Sequence, residues 1–307
     1  MNIAYLISAH TDPTHLKRLI GSLHEDAHFF IHIDRKSDID IFTSQIKGDN
    51  IHFVNRRTDV RWGTINEVDY QMTLIAEAVA HPVHFDRIFF LSGLDYPLWG
   101  NSRITGFMDE SGDREYLQGI CCDTKDFPPQ QYANYSIIRP FVNLPFVGNK
   151  WNTKLSILGR HFLRIIGVRK KLNLMVDGKK WKLYKGSAWW AITEELASYV
   201  LSQYNTHGEI RKYFKHQFCP AETLIQTIAF NSDGFAQRCM LFTSKFESLR
   251  ALTPLHHIDY SNQIKVWTIS DYEELKQSGK MFARKFMTGK SDELMDKMDS
   301  ERNSDGK

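Results

Sequence analysis

The residues best suited to chemistry follow four short apolar segments in the first hundred residues. Each segment is rich in aromatic or β-branched side chains, and each ends in groups that hydrogen-bond or carry charge. In chain order these groups are Ser8 and His10, then Asp34, then Arg56, Arg57, Trp62 and Gly63, and finally Ser92, Gly93, Asp95 and Tyr96. Hydroxyl, imidazole and carboxylate groups repeated in this way predict a binding crevice for a polar ligand. For Asp34, in FFIHIDRKS, the alternative is an exposed turn aspartate.

The elements that must position these groups alternate between strand and helix. IAYLIS, HFFIHI, IHFV and RIFFLS are predicted to be buried strands. Helices are predicted at about 13–23, at about 39–46 and in NEVDYQMTLIAEAVAH. Short apolar strands separated by helices indicate a parallel sheet covered on both faces. Ligands of such sheets bind at the carboxyl ends of the strands, so we expect the polar groups to share one rim.

The second half of the chain is less regular. KGSAWWAIT predicts a strand that leads into the helix EELASYVLSQY, and CPAETLIQTIAFNS predicts a helix with its Pro and Glu in the first turn. IKVWTISDYEELKQS predicts a strand and a capped helix. SDELMDKMDSERNSDGK predicts a helix that gives way to a polar tail. No internal repeat and no linker divides the chain.

Length and composition favour one large globular domain. The chain has 307 residues, of which 42% are hydrophobic. It contains no signal-peptide pattern and no apolar run of about 18 residues, so we expect a cytoplasmic protein that is neither secreted nor membrane-spanning. The four cysteines lack CxxC spacing, which indicates reduced thiols.

Positive charge is concentrated in residues 150–185, which hold eleven Lys or Arg and a single acid, Asp177. In the part at 151–171, apolar residues recur at roughly helical intervals with cations between them. Such a helix can make peripheral contact with an anionic membrane or bind an acidic partner, and it can also be a core helix with a solvated basic face. No nucleic-acid motif accompanies it, so we do not expect a nucleic-acid partner.

Six segments occur together in an order that resembles the core-2/I-branching glycosyltransferase family, which also contains peptide O-xylosyltransferases. They are FFIHIDRKS, VRWG, LSGLDYPL, KGSAWWAIT, CPAETLIQTI and MFARKF. The resemblance runs from near the first strand to about residue 290. It implies a GT-A fold, which is a single α/β domain with a Rossmann-like, mostly parallel sheet flanked by helices. It also implies a UDP-sugar donor and inversion at the anomeric carbon.

The resemblance implies no metal ion and no cofactor. The family does without the DxD metal motif of other GT-A enzymes, and here SGLDYP stands at the end of the fourth strand. The D-x-D formed by Asp38 and Asp40 follows the second strand and is predicted to begin a helix.

The resemblance assigns the general base to Glu222 in CPAETLIQTI. Inverting transfer needs a base that removes the acceptor hydroxyl proton while UDP leaves on the opposite face. A carboxylate in the first turn of a helix is kept ionised by the helix dipole and lies exposed at a rim. The alternative is a glutamate that only caps the helix.

The departing diphosphate needs positive charge, which Lys and Arg supply where a metal does not. The resemblance places Lys285, in MFARKF, at a basic position before Phe, with Arg284 beside it. Family members carry a second cation upstream of the preceding helix. The corresponding segment here, YSNQIKVWTIS, has no arginine, and Lys265 is the nearest candidate.

The resemblance also implies which residues contact the donor. For the nucleotide these are Ser8, His10, Asp34 and Trp62. For the donor sugar and diphosphate they are Ser92, Gly93, Asp95, Ser187 and Trp189. Trp62 has the alternative of packing in the core. Alternation along a strand is expected to send Trp189 and Trp190 to opposite faces. The acceptor loop, in CCDTKDFPPQQYANYSIIRPF, matches no pattern that identifies the acceptor.

Together these features predict a soluble bacterial-type transferase, in which residues 1–300 form one GT-A domain and residues 301–307 a polar tail. Residues 1–100 would bind the nucleotide, and residues 101–300 would supply the acceptor and catalytic half. The predicted reaction moves GlcNAc or xylose from a UDP-sugar to a hydroxyl of a glycan or lipid-linked glycan, as in the synthesis of a cell-surface polysaccharide. One alternative is a metal-dependent transferase with Asp95 as a ligand. The other is a non-catalytic protein that binds a glycan or a nucleotide.

Overall fold

The computed structural model describes residues 1–124, 127, 149–261 and 264–304. In chain order its strands are β1 (Ile3–Ala9), β2 (His28–Ile33), β3 (Ile51–Phe53), β4 (Arg87–Ser92), β5 (Asp95–Pro97), β6 (Gln118–Cys121), β7 (Asn173–Val176), β8 (Lys179–Lys182), β9 (Tyr184–Gly186), β10 (Ala191–Ile192), β11 (Met240–Leu241), β12 (His256–Ile258) and β13 (Phe282–Arg284). The α-helices are α1 (Pro13–Gly21), α2 (Asp40–Thr43), α3 (Asn66–Val79), α4 (Asn101–Glu110), α5 (Asn149–Ile165), α6 (Glu194–Thr206), α7 (Gly208–Phe214), α8 (Leu224–Phe230), α9 (Tyr272–Gln277) and α10 (Asp292–Ser304).

The central sheet has five strands in the order β10-β4-β1-β2-β3. Strand β1 pairs in parallel with β2 and with β4, and β2 pairs in parallel with β3. Strand β10 is antiparallel to β4. The predicted parallel sheet is therefore confirmed, and β2 and β4 have the predicted bounds. Parallel pairing brings the carboxyl ends of β1, β2 and β4 to one edge of the sheet.

Apolar side chains cover both faces of this sheet, because successive residues of a strand point to opposite sides. Leu6, Phe30 and Phe90 belong to one hydrophobic cluster, which includes buried residues of α3 and α6. Ile7 and Ile31 belong to a second cluster, which includes buried residues of α1 and α4. Each fully buried large apolar side chain contributes about 1.5–3 kcal/mol, so the two layers hold the strand ends in fixed positions.

A second sheet, in the order β12-β13-β5, holds the end of the chain against the end of β4. Strands β13 and β5 are antiparallel, and Arg284 lies directly opposite Asp95 in their register. A third sheet has the order β11-β6-β9, and β7 pairs with β8. Residues from both halves of the chain thus meet at the rim of the central sheet.

The prediction of one continuous strand in KGSAWWAIT is wrong. The segment forms β9 and β10, which belong to different sheets, and residues 187–190 cross between them. At Gly186 a Cβ atom would lie 2.0 Å from the backbone oxygen of Gln118, so only glycine fits where the chain leaves β9. Trp190 is fully buried and Trp189 is partly exposed, but neither lies in a strand, so strand alternation does not explain this difference.

The strand predicted in IKVW is also absent from the described residues 264–268. Ile264 has a φ of 63°, which interrupts extended backbone at the start of the segment. The capped helix that follows is confirmed, because Thr268 and Asp271 form a capping box. The first turn there is a 3₁₀ turn, and α9 begins at Tyr272.

The helix predicted from Cys219 begins later than expected. Pro220–Glu222 form a short 3₁₀ turn, and α8 begins at Leu224. Cys219 precedes the turn with a φ of 49°. Glu222 therefore lies just before the helix and not within its first turn, so the helix dipole has less influence on it than the sequence suggested.

The basic helix α5 is not a core helix. Trp151, Leu158, Phe162 and Ile165 are 63%, 66%, 60% and 82% exposed. None of the helices in the described ranges has the length and hydropathy that crossing a bilayer requires. Most of the predicted acceptor loop, at 121–141, lies outside the described residues.

Candidate active site

The ends of β1 and β4 meet in close register. Ser8 is the penultimate residue of β1 and pairs with Ser92, the last residue of β4. The backbone N–H of Gly93 donates to the oxygen of Ser8 over 2.8 Å. A Cβ atom on Gly93 would lie 2.6 Å from the Cβ of Ala9, so a larger residue would push the two ends apart. Gly93 therefore permits the close approach of these strands.

Asp34 lies directly after β2 with its side chain only 10% exposed. Its carboxylate accepts the backbone N–H of Lys36 over 3.0 Å and the ammonium of Lys36 over 2.9 Å. The same ammonium lies 2.8 Å from a carboxylate oxygen of Asp59. Asp34 is thus a largely buried rim acid with its own cation, which excludes the exposed-turn alternative.

The pKa of His10 is affected by charged residues from other segments of the chain. Its side chain is exposed, but the surrounding protein lowers the pKa of His10. The positive charge of Arg284 lowers that pKa further, and the negative charge of Asp34 raises it. The backbone N–H of Asp34 donates to the carbonyl oxygen of Ala9 over 2.9 Å, so the segment that carries His10 lies against the end of β2, as the shared rim predicted.

Asp95 is the centre of a closed hydrogen-bond cluster at the start of β5. Its buried carboxylate accepts the backbone N–H of Ser92 over 2.7 Å and the indole N–H of Trp189 over 3.1 Å. The Nε2 of His256 lies 3.2 Å away, and Nη1 of Arg284 lies 3.2 Å from the other oxygen. Four protein groups therefore occupy the carboxylate that the metal-dependent alternative would assign to a metal ion.

Burial raises the pKa of Asp95, but the hydrogen bond with His256, the charge of Arg284 and the backbone hydrogen bond of Ser92 outweigh burial. The net effect keeps the pKa of Asp95 below its ordinary value, so this acid is ionised at neutral pH. Its negative charge fixes the guanidinium of Arg284, which also donates to the hydroxyl of Ser92 and lies over the ring of Trp189. Asp95 therefore positions a cation at the rim.

Glu222 faces a cation that the sequence analysis did not single out. Its carboxylate is paired with the ammonium of Lys185, which lies in β9. The side chain of Lys185 is 4% exposed, whereas that of Glu222 is 21% exposed. Burial lowers the pKa of Lys185, and α8 has no side-chain cap. Glu222 is thus the partly exposed member of an ion pair. It does not cap the helix, so the helix-capping alternative is wrong.

The loop after β3 contacts both Asp34 and the segment that leads to Glu222. The backbone N–H of Val60 points at Asp34 over 3.4 Å, and that of Cys219 donates to the oxygen of Gly63 over 3.1 Å. Gly63 has a φ of 74°, a conformation that suits glycine. Trp62 is 65% exposed with its edge against Phe218, so the core alternative for Trp62 is wrong.

The two lysines proposed for the diphosphate differ in what surrounds them. The ammonium of Lys265 pairs with Asp271 over 2.7 Å. Lys285 is half-buried beside Arg284, and its ammonium forms no hydrogen bond or ion pair with any residue in the described ranges. Lys285 therefore has the more available charge, whereas Lys265 is neutralised within its own segment.

The structure brings most of the predicted residues together, although in three groups. Asp34 and His10 form one group, and Ser92, Asp95, Trp189 and Arg284 form the second. The third is Glu222 with Lys185. Ser187 lies between the last two groups, where its oxygen accepts from the amide of Gln226 over 2.6 Å. The segment 185–189 thus contacts Glu222 at one end and Asp95 at the other.

Three residues near this site were missed. They are Lys36, Lys185 and His256. The sequence position of Lys185 could have indicated its importance. It lies in a predicted strand between a tyrosine and a glycine, and a lysine that is buried there needs a partner for its charge. Its partner lies 37 residues away, and no local pattern reveals that distance.

Comparison with known proteins now identifies the class. The profile of the Core-2/I-Branching enzyme family matches residues 3–277. The chain belongs to this family of glycosyltransferases, and its parallel sheet with helices on both faces is the family's GT-A fold. The matched range includes Glu222 and ends before Arg284 and Lys285.

Curated relatives are xylosyltransferases of animals. The chain is 22% identical to xylosyltransferase 2 of Rattus norvegicus over 316 residues, which is 97% of this chain and 33% of that protein. It is 23% identical to the Homo sapiens protein over 76% of this chain and 25% of that one. The xylosyltransferase sqv-6 of Caenorhabditis briggsae is 24% identical over 71% and 25% of the two chains. The chain thus spans a third or less of the length of these relatives.

Among solved structures, the S. aureus protein TarS in complex with UDP-GlcNAc is similar over 43% of this chain and 38% of that one. Its identity is 11% and its TM-score is 0.27. A glucose-1-phosphate thymidylyltransferase from Bacillus anthracis matches over 80% and 88% of the two chains, with 9% identity and a TM-score of 0.29. Similarity at this level carries no argument about the site.

Proposed function

We propose that this chain transfers a sugar, GlcNAc or xylose, from a UDP-sugar to a hydroxyl of a glycan acceptor. The transfer inverts the anomeric carbon and needs no metal ion. The family and its xylosyltransferase relatives support a sugar nucleotide as donor. The observation that carries the mechanism is the ion pair between Glu222 and Lys185 at the rim of the site.

Glu222 acts as the general base of this reaction. Its carboxylate takes the proton of the acceptor hydroxyl as that oxygen forms a bond to the anomeric carbon. The bond from the anomeric carbon to UDP breaks on the opposite face, and its electron pair leaves with the diphosphate. The ammonium of Lys185 keeps Glu222 ionised and in one orientation, and the exposed fifth of the side chain is where an acceptor can approach.

Arg284 and Lys285 stabilise the charge that develops on the diphosphate. Asp95 and Ser92 hold the guanidinium of Arg284 in place before the reaction begins. Groups that are already oriented toward developing charge need no reorganisation during the reaction, which is why they are effective. Lys285 adds an ammonium without an ion-pair partner among the described residues.

Asp34 and His10 bind the uridine in this proposal. An Asp carboxylate accepts from the uracil N–H or from a ribose hydroxyl, and an imidazole hydrogen-bonds or stacks. Ser8 and Trp62 complete the nucleotide side, and Ser187, Gly93 and Trp189 border the donor sugar. These placements follow the family pattern, and the clustering of rim charges around His10 supports them.

A donor screen tests the proposal. UDP-xylose, UDP-GlcNAc and other UDP-sugars are compared by thermal stabilisation and by release of UDP, since a bound donor raises apparent stability by mass action. Asp34→Ala is expected to weaken UDP binding by about 1–3 kcal/mol. Asp26→Ala, at a side chain that is 87% exposed, is the matched control. Equal UDP affinity in both variants would place the nucleotide elsewhere.

We also propose that α5 rests on an anionic lipid surface that carries a lipid-linked glycan acceptor. Trp151, Leu155, Leu158, Phe162 and Ile165 follow one another at intervals of four and three residues, which places them on one helix face. All five are exposed. Lys154 and Arg164 lie on the same helix, so the apolar face has the cations that anionic lipid headgroups attract.

Vesicle binding tests this contact. Co-sedimentation with phosphatidylserine vesicles is expected to fall with salt and with the double substitution Lys154→Gln/Arg164→Gln. Lys170 is an unsuitable target, because it is buried with its ammonium 3.1 Å from Gln217. Absence of binding at low salt, or a chain that dimerises through this helix in sedimentation velocity, would contradict lipid contact.

A further inference from the structure

Three histidines converge at the opposite end of the central sheet from the candidate active site. His28 begins β2, His52 lies in β3, and His81 follows the end of α3. One nitrogen of each ring lies within 4.8 Å of the other two. Nδ1 of His28 and Nε2 of His52 are 3.1 Å apart. Three separate elements thus supply imidazole nitrogens to one small volume.

The rings are held in place by their neighbours. The rings of His28 and His52 are stacked with an interplanar angle of 4°. Phe30 stacks on His52, and Phe85 stacks on His81 and meets His28 edge-on. Each histidine is partly buried, so the cluster is reachable from solvent but is not free to rotate.

We propose that His28, His52 and His81 bind a divalent transition-metal ion of the Zn²⁺ class, with water in the fourth position. Neutral imidazole is a preferred ligand of Zn²⁺, Cu²⁺ and Ni²⁺. A tetrahedral Zn²⁺ with Zn–N distances of about 2.0–2.1 Å places its nitrogens about 3.3 Å apart. The 3.1 Å pair already has nearly this separation, and His81 needs only a small shift to complete the set.

Two existing hydrogen bonds change when the ion binds. The first joins Nδ1 of His28 to Nε2 of His52, and its proton moves to the other nitrogen of the same ring so that both facing nitrogens can ligate the ion. The second involves His81. Nδ1 of His81 accepts the backbone N–H of Val83 over 3.2 Å, which places the ring proton on Nε2. Ligation through Nε2 moves that proton to Nδ1 and breaks this bond. This hydrogen bond joins two residues that are close in the chain, and a water molecule can accept the backbone N–H of Val83 in place of the His81 ring. Its loss weakens the site without preventing binding.

The site is distinct from the proposed catalysis. His28 and Asp34 stand at opposite ends of β2, so about 20 Å of strand separates the two. An ion held by His28, His52 and His81 joins β2, β3 and the end of α3. Because it binds the folded chain, it raises thermal stability and leaves sugar transfer unchanged.

Metal titration of tag-free protein tests the proposal. The chain is stripped with EDTA, dialysed and titrated with Zn²⁺ in a calorimeter, and one equivalent is expected to bind. His52→Ala is expected to weaken this affinity by about 10–100-fold or more. Zn²⁺ is expected to raise Tm in the unmodified chain and not in His52→Ala. His24→Ala, outside the cluster, is the control and should bind Zn²⁺ as the unmodified chain does.

Co²⁺ gives a readout that does not depend on a variant. Bound to the unmodified chain at three imidazoles and one water, Co²⁺ should show the strong visible ligand-field absorption of a tetrahedral site, and Zn²⁺ should displace it. Absence of one-to-one Zn²⁺ binding would overturn the proposal. Equal Zn²⁺ affinity in the unmodified chain and in a folded His52→Ala or His81→Asn variant would also overturn it, because the ion would then be bound elsewhere.

Discussion

Two regions of the molecule each place an acid beside a cation. The corner consists of Asp95 and Arg284, where β5 pairs with β13, and the turn consists of Glu222 and its partner Lys185. The two regions differ in which of the charged groups is exposed. Asp95 is fully buried, and four protein groups point at its carboxylate. Glu222 is 21% exposed and is paired with Lys185. At the corner the cation is the more exposed partner, since the side chain of Arg284 is 15% exposed. At the turn the cation is the more buried partner, since the side chain of Lys185 is 4% exposed.

This difference suggests that the two ion pairs serve different purposes. At the corner, the buried acid fixes a cation whose charge faces the rim. At the turn, the buried cation fixes an acid whose carboxylate faces the rim. One arrangement suits a departing diphosphate, which needs positive charge, and the other suits an acceptor hydroxyl, which needs a base. The following predictions test whether the two regions are divided in this way.

Glu222→Gln is expected to have the largest effect on turnover. Glutamine keeps the shape of the side chain but does not take the acceptor proton, so transfer should fall by about 10²–10⁴-fold. UDP affinity should stay nearly unchanged, because the base acts on the acceptor, whereas Tm should fall, because the variant leaves the buried ammonium of Lys185 without its counter-ion. Initial rates, UDP titration and a thermal melt measure the three quantities, with the exposed Glu273→Gln as control. Full activity of Glu222→Gln would place the base elsewhere.

Lys285→Ala is expected to lower turnover by about 10²–10³-fold, the scale for removing one preorganised charge stabiliser. Its effect should depend on the donor and persist at saturating acceptor, because we propose that Lys285 acts on the diphosphate. Steady-state kinetics with each substrate varied in turn measures this, with the exposed Lys290→Ala as control. A change confined to the KM of the acceptor would assign Lys285 to the other region.

Asp95→Asn should affect stability more than any of the other changes. It leaves Arg284 without its buried counter-ion, which costs about 3 kcal/mol of unfolding free energy on the scale for broken buried pairs. The pKa of Asp95 is depressed, so its contribution is present above the ordinary pKa and is lost as pH falls through the lower folded value. Denaturant melts at several pH values should therefore show less acid dependence in Asp95→Asn. Equal stability to the control Asp113→Asn would contradict a structural role.

The regular half of the fold follows from local patterns, and this is why it was predictable. The strands HFFIHI and RIFFLS are buried on both faces, so every residue in them is apolar or paired and their bounds stand out. The rim also follows, because parallel strands bring their ends to one edge. Asp34 and Ser92 lie at this edge, as predicted without any knowledge of their partners.

The irregular half depends on contacts between distant residues. IKVW has a strand-like composition, yet within the described residues it makes only two backbone hydrogen bonds with Lys285, and a third joins Lys265 to Asp259. KGSAWWAIT divides between two sheets, and Gly186, the last residue of β9, passes close to the backbone of Gln118. Lys185 is a partner of Glu222 only through the fold. The family motif singled out Glu222 as the candidate base, but only three-dimensional contact identified the cation paired with it.

Lys185→Met is expected to have a smaller effect than Glu222→Gln at neutral pH, about tenfold on turnover, the scale of a lost charge-assisted hydrogen bond. Without the ammonium, the pKa of Glu222 rises, so the acid limb of the kcat/KM profile should move to higher pH. Lys185→Arg should restore the position of the limb, because it restores the charge. A uniform loss at every pH, with no movement of the limb, would show that Lys185 only supports the fold.

EDTA is expected to have no effect on turnover, and this null result tests the corner most directly. In the proposed mechanism Arg284 and Lys285 supply the positive charge there, and four protein groups already contact the carboxylate of Asp95. The histidine cluster complicates the experiment, since stripping its ion would lower Tm. The assay is therefore run well below Tm and repeated in His52→Ala, which lacks that site. If EDTA abolishes transfer in both chains and Mn²⁺ restores it in both, a metal ion acts at the diphosphate. Asp95 would then have to exchange its protein donors for the metal, and the division between the two regions would be wrong.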